Sequence, residues 1–303
     1  MSTERIILSY DLRGIARLAH LLPKHYCEEA ASYLLSHGNN AVITSGFYIT
    51  RGKSAETDGP LGAIALAKAL LLLGWKVTLL VDSYLSRCLP VSVTNEIQCV
   101  EFPMLDREAS HAYSEKLIKT LSPDILVSIE RCGPNKENIY TNMRGVAISD
   151  HTPKIDTLFD YSIPSIGIGD GGNEIGMGLI SDEAVKQGVN LPWSITPTDK
   201  LILSSVSNWG AYGLISELSK LTGANLNPSP NEQLTLLKLL VGLGAVDGVT
   251  GYRLPTVDSM HSSATTLILE RLATRMNNTD YSTPVTIFSI LVNLRKSIIS
   301  SRS

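Results

Sequence analysis

The sequence predicts a three-layer α/β fold, a mostly parallel sheet with helices on both faces. Three observations lead there. Short β-branched or aliphatic runs alternate with longer helical patterns. Apolar residues in the longer segments recur at three- and four-residue spacing. Acidic, amide and arginine side chains gather just after the short runs, where open parallel sheets bind ligands.

Taken in order, a helix at 24–36 precedes the first strand at 41–45. A helix at 61–73 leads into a strand at 76–81, and a further strand follows at 98–102. The helix at 107–121 connects to a strand at 124–129. Strands at 165–169 and 201–206 each precede a helical pattern, at 173–187 and 211–221. Three more helical patterns close the chain, at 231–243, 259–276 and 285–299. The alternation is Rossmann-like. No Pro/Gly-rich linker divides it, so residues 1–303 read as one domain. The two longest irregular stretches, 48–59 and 132–149, read as lids or binding loops.

Composition narrows the function. A hydrophobic content of 44% and a charged content of 18% belong to a compact globular chain and exclude disorder. A net charge of −3 without a basic run offers no footprint for nucleic acid or an anionic membrane. Cys27, Cys88, Cys99 and Cys132 form no C-x-x-C pair, which points to reduced thiols and a cytoplasmic setting ahead of the mitochondrial matrix. The beginning, MSTERIILSYDLRGIARL, has neither a secretory pattern nor the acid-poor character of a transit peptide. The apolar stretch 61–73 contains Lys68 and is too short to span a bilayer. Oligomeric state leaves no trace in the sequence.

The strand ends carry the chemistry. After the first come Thr57 and Asp58, after the second Asp82, and after the fourth Glu130 and Arg131. The fifth runs into Asp170, Asn173 and Glu174, and the sixth into Asn208. Asp58, Asp82 and Asn173 each have a plain reading as helix caps or turn residues, and Glu130 with Arg131 as a surface ion pair. Those readings leave the convergence unexplained, since carboxylates at one sheet edge repel unless something positive lies among them. Asp58, Asp82, Asp170 and Glu174 are hard oxygen donors suited to Mn²⁺ or Mg²⁺, which makes them the candidate metal ligands.

Other chemistries fit less well. Residues 167–172 match G-x-G-x-x-G, but Asp170 inside the glycine loop would face a pyrophosphate, and no acidic residue follows where a ribose contact needs one. No G-x-S-x-G elbow occurs, and the six histidines supply no zinc spacing. Cys132 beside Arg131 is the one candidate nucleophilic thiol.

At these same segments the chain resembles the C-terminal-domain family of D-glutamate cyclase. The matching pieces are ITSGFYI (43–49), ETDGPLGA (56–63), SIERCGP (128–134), YTNMRG (140–145), IGIGDGGNEIGMG (166–178), SNWGAYGL (207–214) and AVDGVTG (245–251), in the family's order. Leu61 stands where the family often has a second proline, and Cys132 where proline is common, which weakens the nucleophilic thiol. The resemblance implies conversion of D-glutamate to 5-oxo-D-proline and water. Stand-alone relatives with manganese-dependent phosphatase activity make a metal hydrolase acting on a phosphorylated metabolite the runner-up. A non-catalytic metal- or ligand-binding module is the third reading.

For the cyclase reading, Glu130 is the expected general base. Arg131 and Arg144 are the expected forks for a carboxylate. Thr57, Asn142, Asn173 and Asn208 are the remaining expected contacts to a small anionic substrate. A divalent metal, Mn²⁺ or Mg²⁺, would let that substrate enter a site otherwise repulsive to it.

Overall fold

The computed structural model describes residues 1–277, and the helical pattern at 285–299 lies outside the described residues. The chain opens with α1 (Thr3–Ile7), passes a 3-10 turn at Ile15–Leu21 and enters α2 (Tyr26–Ser36). β1 (Asn40–Ser45) is followed by a small hairpin, β2 (Tyr48–Ile49) and β3 (Ser54–Ala55), then α3 (Pro60–Leu72) and β4 (Lys76–Val81). Two single-turn helices, α4 (Ser83–Ser86) and α5 (Val91–Thr94), lead to β5 (Gln98–Glu101), α6 (Arg107–Leu121) and β6 (Ile125–Ile129). β7 (Ser165–Gly169), α7 (Ser181–Lys186), β8 (Lys200–Leu203), α8 (Ser207–Thr222) and α9 (Pro230–Leu243) follow. A second hairpin, β9 (Thr256–Val257) with β10 (Met260–His261), precedes α10 (Ser262–Asn277).

Six strands form one sheet in the order β5-β4-β1-β6-β7-β8, every pair parallel. The chain builds leftward from β1 to β4 and β5, then rightward through β6, β7 and β8. The switch point therefore lies between β1 and β6, where a crevice opens beyond the strand ends.

Alternate strand residues serve opposite faces. Ala41, Ile43, Leu79, Val81, Ile125 and Val127 join the larger core with apolar residues of α2, α3 and α8. Val42, Leu80 and Leu126 join a second core with Leu117 and Leu121 of α6 and Ile155 beyond it. Each fully buried aliphatic side chain contributes about 1.5–3 kcal/mol. α8 is buried from Ser207 through Ser219. It lies close because glycines admit it: a Cβ on Gly210 would come 2.5 Å from Ile168, and one on Gly62 would come 2.7 Å from Ala211. Among the described residues no helix is long and apolar enough to cross a membrane.

The strands of the large sheet start within a residue of where periodicity places them, and the differences concern the segments after β7, at the end of β8 and before α10. The pattern at 173–187 gives helix only in α7. Ahead of it, the Ile175 N–H donates to Arg131 O and the Gly176 N–H to Thr196 O, both at 2.8 Å. Gly176 has a φ of 107°, so the backbone is tied to flanking segments and cannot make i→i−4 bonds. The strand expected through 206 stops at Leu203 and α8 begins at Ser207, ahead of the expected 211. Residues 259–261 belong to the β9–β10 hairpin and not to the last described helix.

Candidate active site

Glu130 and Arg131 leave the end of β6 in opposite directions. Arg131, 1% exposed, turns into the protein. Its guanidinium pairs with buried Asp82 and donates to Gly46 O at 2.5 Å and Pro153 O at 3.3 Å. Asp82 also caps α4 by accepting from the Leu85 N–H at 2.8 Å. The pair thus ties the ends of β4, β1 and β6 together, and neither member reaches the acidic cluster described below. Expected as a fork and a metal ligand, both are spent on the protein.

Glu130 sits at the crevice with a φ of 49°, in the left-handed region that a non-glycine residue adopts at a cost of about 1–3 kcal/mol. Gly59 lies beneath it: a Cβ there would come 2.6 Å from both Glu130 Cβ and Ser45 Oγ. Ser207 Oγ, at the start of α8, donates to Glu130 Oε2.

Asp58 caps that same helix from a distant part of the chain. It accepts from the Ser207 N–H at 2.9 Å and the Asn208 N–H at 2.8 Å, two first-turn donors that α8 does not satisfy itself. Asn208 returns the contact, accepting from the Gly62 N–H at 2.7 Å and donating to Thr57 O at 3.1 Å. Thr57 Oγ1 donates to Thr256 O at 2.8 Å. Thr57 and Asn208 therefore join the loop before α3 to α8, and neither lines the cavity.

In the glycine-rich loop, Glu174 folds back and accepts the Gly171 and Gly172 N–H groups, both at 2.8 Å. Two amides of the loop are thus taken up inside it. Asn173 Nδ2 donates to Thr141 O at 2.7 Å and holds the 141–147 loop against the site. Asn142 Oδ1 accepts from the Arg144 and Val146 N–H groups, at 2.9 and 3.1 Å, which shapes that loop and presents exposed Arg144 at the cavity rim. The Cys132 thiol is buried and pushed well up by that burial, although Arg131 opposes the rise. It does not line the cavity described below.

The cation among the acids is Arg13, which the sequence reading passed over. Asp11 accepts the N–H groups of Gly14, Ile15 and Ala16, and this turn aims Arg13 across the crevice. Its guanidinium pairs with Asp170 and, at 2.9 Å, with Asp258. Asp258 follows β9 with a φ of 51°. Its hairpin is fixed by buried Asp247, which accepts from Thr256 Oγ1 at 2.8 Å and the Ser259 N–H at 2.7 Å. Glu56 completes the set against Gly248, where a Cβ would lie 2.0 Å from Glu56 Oε2.

Six carboxylates, Glu56, Asp58, Glu130, Asp170, Glu174 and Asp258, thus surround one arginine, and each is at most 6% exposed. Ligand oxygens of Asp58, Asp170 and Asp258 lie within 4.8 Å of one another, as do those of Glu130, Asp170 and Glu174. Like charges about 4 Å apart repel by about 4 kcal/mol at an effective dielectric of 20. Burial, with the neighbouring acids adding to it, raises Glu56 and Glu130 well above the usual carboxylate range. Burial raises Asp170 well above it too, against the pull of Arg13. Asp58 is pushed up to about 7 by burial first and Asp258 second, while the α8 amides and Arg13 pull it back. The floor is short of positive charge.

Above the floor opens a cavity of about 380 Å³, a size suited to a small metabolite. Its lower wall is Glu56, Glu130, Asp170 and Glu174 with Arg13, and its rim includes Arg51 and Arg144. Arg13 and Asp258 come from segments with no strand-end position to mark them, whereas Glu56 and Arg51 share the 48–59 loop with Thr57 and Asp58. For Arg13 the available signal was the D-x-x-G turn at 11–14 that holds it.

Residues 5–273 match the family described as D-glutamate cyclase-like, C-terminal. The chain is also 34% identical over 226 residues to the human protein named D-glutamate cyclase, mitochondrial, an overlap covering 68% of this chain and 36% of that protein. The similarity thus spans little more than a third of the human relative. With the match running over nearly its whole length, the chain belongs to the D-glutamate cyclase-like C-terminal-domain family.

Proposed function

We propose that the chain is a D-glutamate cyclase-type lyase, converting D-glutamate to 5-oxo-D-proline and water. The observation that carries this reading is the charge pattern of the cavity, an acidic floor short of cations below a rim with two arginines. A zwitterionic amino dicarboxylate fits it, with the ammonium down and carboxylate toward the rim. A phosphate monoester brings no ammonium to that floor, which disfavours the phosphatase reading.

The chemistry needs two protons moved from nitrogen to oxygen. The amine attacks the γ-carboxyl carbon, the N–C bond forms, a C–O bond breaks, and the departing oxygen leaves as water. Glu130 is placed to take a proton from the ammonium and return it to the leaving oxygen. Its raised proton affinity favours the half of the shuttle in which it holds the proton, and Ser207 holds one of its carboxylate oxygens in place. Arg13 keeps Asp170 and Asp258 close without discharging the whole floor.

A divalent cation fits the donor set as well. All the donors are carboxylate oxygens, and Asp258 Oδ2 is buried without a hydrogen-bond partner among the described residues. Asp58, Asp170 and Asp258 would hold the ion, and Mn²⁺ or Mg²⁺ there would supply Lewis acidity toward a substrate carboxylate. Glu130, Asp170 and Glu174 form a second such donor set, and Asp82, paired with Arg131, lies outside both.

Glu130→Gln keeps the Ser207 contact and removes the base, so 5-oxoproline formation from D-glutamate should fall at least about 100-fold with the melting temperature preserved. Undiminished turnover in this variant would take Glu130 out of the mechanism.

A further inference from the structure

The two arginines on the rim differ from the other arginines around the site. Arg13 and Arg131 are committed to buried carboxylates. Arg51 and Arg144 line the cavity and, among the described residues, neither pairs with a carboxylate. An unpaired guanidinium at the mouth of an acidic cavity is free to receive an anion.

Of the two, Arg51 is the one already held in place. It lies in the turn of the β2–β3 hairpin, and its guanidinium carbon sits 4.3 Å from the centroid of the Tyr252 ring. Its Nη2 also donates to Tyr252 Oη. Stacking on an aromatic face fixes the plane of the fork and leaves its other N–H groups available. Tyr252 is fixed in turn: the Asp247 N–H donates to Tyr252 O at 2.9 Å, and the Gly251 N–H donates to Asp247 O at 2.8 Å. Gly251 has a φ of 69° and no Cβ where Arg51 passes, since one there would come 2.8 Å from Arg51 Cβ. Asp247, which fixes the Asp258 hairpin, therefore also fixes the platform of Arg51. The acidic floor and this rim position are parts of one rigid unit.

We propose that Arg51, stacked on Tyr252, is the seat for the substrate's free α-carboxylate, and that it makes the site select free amino dicarboxylates over α-amides and amino-terminal glutamyl peptides. The assignment rests on the cyclase reading for its orientation. Cyclisation joins the amine to the γ-carboxyl group, so both must lie near Glu130, and the α-carboxylate is the charge left over for the rim. Amidation of that group removes the anion that Arg51 receives and leaves the reacting atoms unchanged. Discrimination then comes from a charge-assisted fork lost with the anion.

The test separates the seat from the reaction. Calorimetry measures binding of 5-oxo-D-proline, whose single charge is this carboxylate, and of its uncharged carboxamide. The proteins are wild type, Arg51→Met, Arg51→Lys, Arg144→Met and Tyr252→Phe, each checked by thermal melting. Arg51→Met should weaken the acid about 10- to 100-fold and leave the amide unchanged. Arg51→Lys should recover part of the loss, Tyr252→Phe should cost a few-fold, and Arg144→Met should change acid binding less than Arg51→Met does. In turnover, the wild-type preference for D-glutamate over its α-amide should collapse in Arg51→Met, chiefly through KM. Acid binding that is undetectable in wild type, unchanged in Arg51→Met, or lost instead in Arg144→Met overturns the assignment. Arg51-dependent acid binding without any 5-oxoproline from D-glutamate upholds the seat and removes the cyclase reading.

Discussion

Replacing Arg13 by Gln removes the one cation that, among the described residues, pairs with a floor of six carboxylates. The cost follows from the protonation of the acids it leaves behind. Arg13 now draws the Asp170 proton affinity down, against burial that raises it. Without the guanidinium, that affinity rises further. A carboxyl group whose folded pKa lies above its unfolded value stabilises the folded state at low pH. That contribution is lost as pH rises through the folded value. Asp58, at about 7 in the folded protein, already places such a loss between about pH 4 and 7, and Arg13→Gln should deepen and extend it. Breaking a buried ion pair costs about 3–5 kcal/mol. Because the Arg13 side chain is 22% exposed, about 3 kcal/mol at pH 8 is the expected loss. At pH 5, where the freed acids take up protons, about 1 kcal/mol or less should be lost. Urea unfolding of both proteins at pH 5, 6, 7 and 8 measures it. A penalty independent of pH would show that Arg13 packs against the site without neutralising it.

Two further outcomes follow from the same geometry. Asp82→Asn should lower stability by about 3–5 kcal/mol by leaving Arg131 buried without its carboxylate. Ligand affinity in the protein that remains folded should be unchanged, and a selective loss of affinity would return this pair to the site. Mn²⁺ should raise the melting temperature of wild type and not of Asp170→Asn, and equal shifts in both would place the ion elsewhere.

The architecture was legible because period-2 and period-3.6 patterns are local, and β1, β4, β6 and β7 are built mostly of aliphatic, β-branched or small residues. Position relative to the strand ends then brought Asp58, Glu130, Asp170 and Glu174 to one place. Partnership was not legible. Sequence neighbours Glu130 and Arg131 read as one unit, yet a left-handed residue sends one to the cavity and the other to Asp82. The helical pattern at 173–187 failed at its start because long-range backbone bonds from Ile175 and Gly176 outcompete local ones. Arg13 and Asp258 reach the floor from opposite ends of the described chain, through a turn at 11–14 and a hairpin set by Asp247, and no periodicity encodes that meeting.

The central claim is that the acidic floor seats an ammonium for attack on the γ-carboxyl group of the same molecule. The most direct test supplies D-glutamate carrying ¹⁸O in both γ-carboxyl oxygens and follows the product by mass spectrometry, with Glu130→Gln as control. The account predicts 5-oxo-D-proline that retains one ¹⁸O in its ring carbonyl, with the other in water, and at least about 100-fold less product from the variant. Absence of 5-oxoproline from the wild-type protein, alongside phosphate release from a phosphate monoester, would contradict it.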